Sequence, residues 1–577
     1  MKRIFTFLYV LIWTYGMSQT PTTVFESSGG TSTATYDGII NFYKALANQY
    51  PEIQVKEIGL TDSGLPLHLV TLDIRKEFDY KKAYAEGRAI VLINNGIHPG
   101  EPDGIEACQM LLRNYIQDSE KKSLLNDVII GVIPVYNIGG ALDRNSFSRV
   151  NQDGPLEYGF RGNARNYDLN RDFIKADTRN TKAFYEIFHY VNPDIFIDTH
   201  VSNGADYQYT ITHLITQHNK MGGTLGQYLE ENLRVKLEQK MKDRGAEITP
   251  YVNVFNTTPD NGFPQFLDNP RYSTGYTTLF NTVGLMIETH MLKPFETRVE
   301  SSYTFLETVL EMAYVDGKRI RELKEKRQND IKPGAKLAID WRLTRGESAK
   351  LNFKGYEGEM RKSEVTDLDR LYYNHDKPFT KSIPYYNTYV ASEEVVIPKA
   401  YVIPQGWHDI IELLKLNKAK YRQLKQDSSM NVEVYTIEKF TTSKTVYEGH
   451  YMNNNVQVSV SEEEVKFRKG DYIFFTDHTS GRYLVETLEP KAIDSFFSWN
   501  FFDTILQQKE GFSPYVFEDL ALQLIESEPQ LKKAFKQKKR DEPDFALNWF
   551  AQLDYIYKNS PYYEEAHMRY PVYRLVK

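Results

Sequence analysis

Four short apolar runs recur along the first half of the chain: 89–93 (AIVLI), 128–135 (VIIGVIPV), 194–198 (DIFID) and 283–288 (VGLMIE). Each is unbroken and bounded by turn-forming residues, the pattern of strands buried on both faces of a parallel sheet. The stretch 67–74 (LHLVTLDI) alternates instead, as a half-buried strand does. Between these runs the period changes. In 38–51 (GIINFYKALANQYP) Ile39, Phe42, Leu46 and Tyr50 recur at helical spacing, and in 104–116 (GIEACQMLLRNYI) Ile105, Cys108, Leu112 and Tyr115 share one face. Leu225, Leu229, Leu233 and Leu237 form a third apolar stripe, and 301–320 (SSYTFLETVLEMAYVDGKRI) a fourth helix.

Alternation of this kind predicts an α/β domain over residues 35–325, a mixed and largely parallel sheet flanked by helices. The lysine-rich stretch 321–336 changes the composition and is expected to connect to a second region, 335–577. There 336–344, 389–398 and 431–441 read as strands and 517–539 as helix, which gives a smaller mixed β domain with a helical tail. No internal repeat or extended low-complexity tract interrupts either region.

Length and composition agree with two domains: 577 residues exceed one ordinary core, and 41% hydrophobic with 25% charged residues is the balance of a soluble globular protein. A net charge of −7 gives no reason to expect a nucleic-acid partner. The amino terminus, MKRIFTFLYVLIWTYGMSQT, joins two basic residues to a short apolar run and then small polar ones, so residues 1–18 are expected to be a cleaved export signal, placing the protein in the periplasm or outside the cell. No later run spans a bilayer, so no stable membrane insertion is expected after cleavage. The single cysteine, Cys108, cannot close an intramolecular disulfide, which leaves core packing and metal binding to hold the exported chain.

The candidate chemistry sits where the apolar runs end. NNGIHPGEPDG, 94–104, follows the first run and places His98 three residues before Glu101. Alone, this pair reads more readily as a polar turn than as half of a metal site. A hydrolytic zinc site needs about three nitrogen or oxygen ligands and an open position, and His200, in PDIFIDTHVSNG (193–204), ends another run and can supply the third donor. Glu288 ends the last run, where a carboxylate can serve as general base or, on the bland reading, as a cap or salt-bridge partner. Between the histidines lies RGNARNYDLNRDF, 161–173, whose Arg161, Arg165 and Arg171 with Asn170 suit a substrate bearing a free acid end, or else pair with acidic neighbours in a solvated loop.

In their order and spacing, His98-x-x-Glu101, Asp168-Leu169-Asn170-Arg171, His200 and Glu288 resemble the zinc metallocarboxypeptidases of the carboxypeptidase A-like family, of exported bacterial type. The segment 50–72 is similar to the start of that family's catalytic domain, and the likeness extends over about residues 35–320. It implies one zinc ion per chain held by His98, Glu101 and His200, and Glu288 as the base that activates water. It further implies that Asn170 and Arg171 grip the terminal carboxylate of a peptide, that Arg161 stabilises the oxyanion, with Arg144 and Arg149 as competitors, and that Asp168 orients the first zinc histidine. For the phenol that closes over substrate, Tyr272 and Tyr276 are both available, and Tyr276 is the expected one. His290 is expected to make a local hydrogen bond. No large inhibitory prosegment fits between the signal and residue 35.

The activity so implied is release of a carboxyl-terminal residue from peptides with a free terminal carboxylate. The alternatives are a zinc amidase acting on cell-wall peptides or acylated amino acids, and a peptide- or glycan-binding relative without turnover.

Overall fold

The computed structural model describes residues 20–576; the expected signal segment, 1–18, lies outside them. The described chain divides into two compact units. The residues up to Arg327 together with Leu343–Val390 make the first, and Gln328–Arg342 with the chain from Ala391 onward make the second.

The first unit is built on strands β1 (Ile53–Leu60), β2 (Pro66–Leu72), β3 (Ala89–Asn94), β4 (Val128–Ile133), β5 (Ile195–Ser202), β6 (Ile211–Ile215) and β7 (Thr249–Pro250). A two-residue strand, β8 (Phe263–Pro264), stands apart from this sheet, and β9 (Val283–His290) completes it. Among the described residues the sheet has eight strands in the order β1-β2-β4-β3-β5-β9-β6-β7. Its centre, β4-β3-β5-β9, is parallel. On one side β2 and β1 are antiparallel, and on the other β6 runs antiparallel to β9. All four apolar runs therefore lie in the central strands, where both faces are covered, and in β5 and β9 polar residues enter only from Asp198 and Glu288 onward.

The two faces carry different residues. Val91, Ile93, Ile195, Ile197, Leu285 and Ile287 share a core with the helices Tyr36–Gln49, Asp103–Gln117 and Phe295–Asp330. Phe196, one position out of phase, meets Phe184 of the helix Arg179–Val191 edge to face, with ring centroids 5.9 Å apart. Period-two alternation puts Asp198 and His200 on this second side, and Met286 and Glu288 beside them.

The lysine-rich stretch departs from expectation. Helix Phe295–Asp330 runs through 321–330 because its anchoring residues stay in helical phase: Leu323 is buried, Arg321 reaches the Asp194 carboxylate, and Lys324 donates to the Pro193 carbonyl at 2.7 Å. Beyond it come β10 (Lys336–Leu343), a long antiparallel hairpin of β11 (Ala349–Lys362) and β12 (Asp369–Tyr386), and β13 (Tyr389–Val396), which pairs with β10. The hairpin falls in the first unit, whereas the sequence reading placed everything after 335 in a separate region.

The second unit carries a six-stranded sheet of β14 (Ala400–Ile403), β15 (Tyr421–Gln423), β16 (Ser428–Thr442), β17 (Asn453–Phe467), β18 (Tyr472–Phe475) and β19 (Tyr573–Leu575), in the order β15-β18-β14-β19-β16-β17. The predicted tail helix is two, Pro514–Ser527 and Pro529–Asp541, divided where a proline starts the second. No helix among the described residues is long and apolar enough to cross a membrane.

One contact fixes the site's scaffold. Helix Asp103–Gln117 crosses β5 so closely at Gly104 that a β-carbon there would lie 2.2 Å from Thr199 Oγ1. We therefore expect Gly104→Ala to cost about 1–3 kcal/mol through overpacking beside the site, seen as a lowered thermal midpoint. Gly346→Ala, which meets nothing within 4 Å, should leave the midpoint unchanged.

Candidate active site

Three neighbouring parallel strands, β3, β5 and β9, deliver their functional side chains to one edge. This is the rim on which open α/β sheets collect ligands. After β3 the chain turns at Gly96, in the left-handed region at φ +66°, and the Glu101 amide donates to the His98 carbonyl at 2.9 Å, closing a turn that puts both side chains on the same side. Pro102 then leads into the Asp103–Gln117 helix. His200 lies within β5, directly across from Glu288 on β9, with Thr212 of β6 beyond.

His98, Glu101 and His200 are all buried, and one ligand atom from each lies within 4.8 Å of the others. The two Nδ1 atoms are 3.2 Å apart, and Glu101 Oε2 is 3.2 Å from that of His200 and 3.3 Å from that of His98. The far nitrogens set the tautomers. His98 Nε2 donates to Asp168 Oδ1 and His200 Nε2 to Asp198 Oδ2, each at 2.9 Å. A carboxylate has no proton to give, so in the neutral rings both Nδ1 atoms present lone pairs to each other and to Glu101. Three acceptors converging in a buried space are arranged to hold a cation between them, and two imidazoles with one carboxylate are a donor set suited to zinc.

The surrounding carboxylates favour a positive charge among these acceptors, which a proton on His200 also supplies. Burial alone would depress His200, yet the Asp198 carboxylate outweighs it and holds the imidazole well above its ordinary range. Burial would raise Glu101, but the charges of Arg149 and His98 hold it well below the carboxylate range. Asp168 is likewise held low against burial by His98, Arg161 and Arg171. Glu288 behaves differently. Burial dominates and pushes it up to about 7, with His200 and the arginines opposing.

The triad opens into a cleft of about 550 Å³. Arg161, Asn170, Arg171 and Glu288 all line it, so the structure brings these expected site residues together with the triad. Asp168 joins them: its Oδ1 accepts from His98 and from the Asn170 amide, and its Oδ2 from Arg161 Nε at 3.0 Å. Arg171 lies over the Tyr272 ring, 4.7 Å from its centroid. Arg144 is elsewhere, donating to the Thr33, Ala34 and Glu157 carbonyls.

Tyr276 is corrected. It is fully buried in an aromatic cluster with Phe173, Phe184, Tyr185, Phe188 and Phe280, and its hydroxyl lies 3.4 Å from His189 Nε2. The helix Ser273–Thr278 accounts for this: Tyr272 stands before its first turn and faces the cleft, while Tyr276, four residues on, points at helix Arg179–Val191. Tyr251 and Phe266 also line the cleft.

Two supporting residues escaped the sequence reading. Arg149, weighed there only for the oxyanion, donates to Glu101 Oε1 at 2.6 Å and to the Val201 carbonyl at 3.3 Å. A β-carbon at Gly100 would lie 2.7 Å from this arginine's Cδ, so the glycine admits it. Asp198, which also accepts the Ser273 hydroxyl, was quoted only as part of a strand. Its place two residues before His200, on the same strand face, was the available signal.

Residues 39–194 match the zinc carboxypeptidase family. Carboxypeptidase 2 of Trichophyton rubrum is 23% identical over 424 residues, which cover 71% of this chain and 73% of the fungal protein, and that of Trichophyton equinum is 23% identical over 428. Among solved structures, a metallo-carboxypeptidase from Burkholderia cenocepacia aligns with TM-score 0.37 and 17% identity over 49% of this chain and 69% of that one. The Pseudomonas aeruginosa metallo-carboxypeptidase in complex with (2-guanidinoethylmercapto)succinic acid gives 0.37 and 16% over 50% and 70%. These relatives are thus carboxypeptidases, and residues 39–194 are similar to the zinc carboxypeptidase family, a family of metallohydrolases.

Because Asp198 fixes the His200 tautomer, Asp198→Asn should weaken zinc binding about 10- to 100-fold, read by chelator competition. His200→Ala should abolish stoichiometric zinc. Unchanged affinity in both would separate these residues from the metal.

Proposed function

We propose that the protein is an exported exopeptidase that hydrolyses the carboxyl-terminal peptide bond, with one zinc ion per chain held by His98, Glu101 and His200. When bound, zinc supplies a Lewis acid that polarises a carbonyl and lowers the pKa of water. The observation that carries this reading is the convergence of three buried acceptors beside a carboxylate, Glu288, that burial holds near neutrality.

Glu288 is the proton carrier. A carboxyl poised near 7 takes a proton from water at neutral pH and returns it to the departing amine, which a carboxylate of ordinary acidity does less well. Arg161 stabilises the oxyanion. Asp168 holds the arginine's Nε and Nη2, its side chain is 44% exposed against 18% for Arg149, and its Nη1 lies 3.4 Å from His98 Nδ1.

Asn170 and Arg171 bind the terminal carboxylate of a peptide. Asn170 is fixed by its Oδ1 accepting the Ser273 amide at 3.1 Å and its own amide donating to Asp168, so the pair is ordered before substrate arrives. Tyr272, whose ring already lies against Arg171, takes the covering role first expected of Tyr276. The basic-then-apolar segment at 1–18 supports export.

Glu288→Gln should keep zinc and lose about 10²- to 10⁴-fold in turnover. Arg171→Met should lower kcat/KM roughly 10- to 100-fold on free-acid peptides by removing a charged hydrogen-bond partner. Mass spectrometry of products from free-acid and amidated peptides checks the reading directly: single residues should leave free-acid substrates only. Internal cleavage, or equal action on amidated peptides, would contradict it.

A further inference from the structure

The β11–β12 hairpin lies outside the segment matched to the zinc carboxypeptidase family, yet it packs beneath one rim of the cleft. Its inner residues Phe353, Ile383 and Tyr385 share a buried core with Ala205, Tyr207, Tyr209, Val252, Val254 and Phe263. These belong to the two loops whose neighbours Ser202, Asn203, Asn253 and Phe255 line the cleft. The loops are joined to each other by the Ala205 amide on the Val254 carbonyl, at 3.0 Å.

The hairpin grips the first loop through its backbone and the second through a tyrosine hydroxyl. Gln208 Nε2 donates to the Gly355 and Phe379 carbonyls at 2.8 and 2.9 Å, and Tyr207 bridges to Gly355. The Tyr373 hydroxyl donates to the Thr257 carbonyl at 2.9 Å, holding the second loop. One side-chain link reaches further. The buried Asp206 carboxylate accepts from His375 of β12 at 2.6 Å and from His290 of β9 at 3.0 Å, and His290 stands two residues beyond Glu288. Tyr207 stacks on His290 with centroids 4.2 Å apart, and its hydroxyl lies 3.0 Å from Ser202 Oγ.

The direction of a bound peptide follows from β5, if the proposed function holds. Asp198 accepts the hydroxyl of Ser273, whose amide contacts Asn170, so the carboxylate end lies at the Asp198 level. His200 marks the scissile bond. Ser202 and Asn203 come next outward, where residues upstream of that bond must run.

We propose that the β11–β12 hairpin is a working part of the substrate cleft. It holds the rim that receives the upstream residues of a peptide, and Asp206, gripped by His375 and His290, is the positioning residue that ties this rim to the strand bearing Glu288. Substrates with several upstream residues depend on this support, and a singly acylated amino acid does not. The inference rests on the exopeptidase reading of the same site.

The test is steady-state kinetics on free-acid substrates carrying one, two or three residues upstream of the scissile bond, with the full-length zinc enzyme. His375 is 61% exposed, so His375→Ala removes the link without opening the core. We expect KM to rise about fivefold or more for the longer substrates in this variant, with kcat within about twofold, in line with the loss of one charged hydrogen bond acting on binding. Zinc content should not change, and His375→Gln, which keeps a donor, should recover most of the loss. Tyr373→Phe, at the other loop, should give the same length dependence. KM values unchanged at every length in both alanine and phenylalanine variants, a rise independent of length, or a fall in kcat with loss of zinc would each overturn the proposal. A wild-type enzyme that releases no terminal residue from any of these substrates would instead overturn the exopeptidase reading, and the rim's role with it.

Discussion

Everything at this site depends on keeping three electron-rich atoms, from a turn after one strand and from the strand beside it, within bonding reach of a common point. Unaided, two imidazole lone pairs and a carboxylate oxygen repel at 3.2 to 3.3 Å. The fold holds them there by fixing the opposite side of each imidazole: Asp168 and Asp198 orient the rings, and Arg149 and the Val201 amide hold Glu101. Such outer contacts turn a loose cluster into a preformed metal site. Parallel strands then do the rest, because β5 and β9 in register put His200 and Glu288 side by side without any loop having to be ordered.

A balance of charge follows from the same arrangement. Three carboxylates of the centre, Glu101, Asp168 and Asp198, are matched by three arginines and two histidines drawn from separate segments, which accounts for the density of arginine between residues 149 and 171. Glu288 is left out of these pairings and is therefore the one whose proton affinity burial can raise. Glu101 and Glu288, two buried carboxylates of one cleft, thus differ in proton affinity because of their surroundings.

Much of this was legible in the chain itself. Unbroken apolar runs identify β3, β4, β5 and β9 because strands covered on both faces admit few polar residues, and a polar donor just past such a run is conspicuous. His98, Glu101, His200 and Glu288 all stand out in that way. The misreadings also have physical causes. Tyr276 and Tyr272 differ by one helical turn, and only the packing of a six-residue helix decides which faces solvent. The lysine-rich end of helix Phe295–Asp330 looks like a linker because its lysine and arginine anchors are buried by pairing with carboxylate and carbonyl groups, not by being apolar. The β11–β12 hairpin gave no signal. Its distal half sets Tyr356, Met360, Leu371 and Tyr373 among charged residues and carries Gly358, so no unbroken apolar run marks it.

The hairpin also shows how a domain boundary drawn from composition misleads: a segment after an apparent linker returns to the first unit and packs against the loops whose neighbours line the cleft. The central claim remains the metal centre, and zinc-edge anomalous diffraction from crystals of the zinc-loaded full chain tests it most directly. The account predicts a single strong peak between Nδ1 of His98, Nδ1 of His200 and Oε2 of Glu101, with both Nε2 atoms still on their aspartates. A peak away from these three atoms, or rings turned so that Nε2 faces the ion, would contradict it.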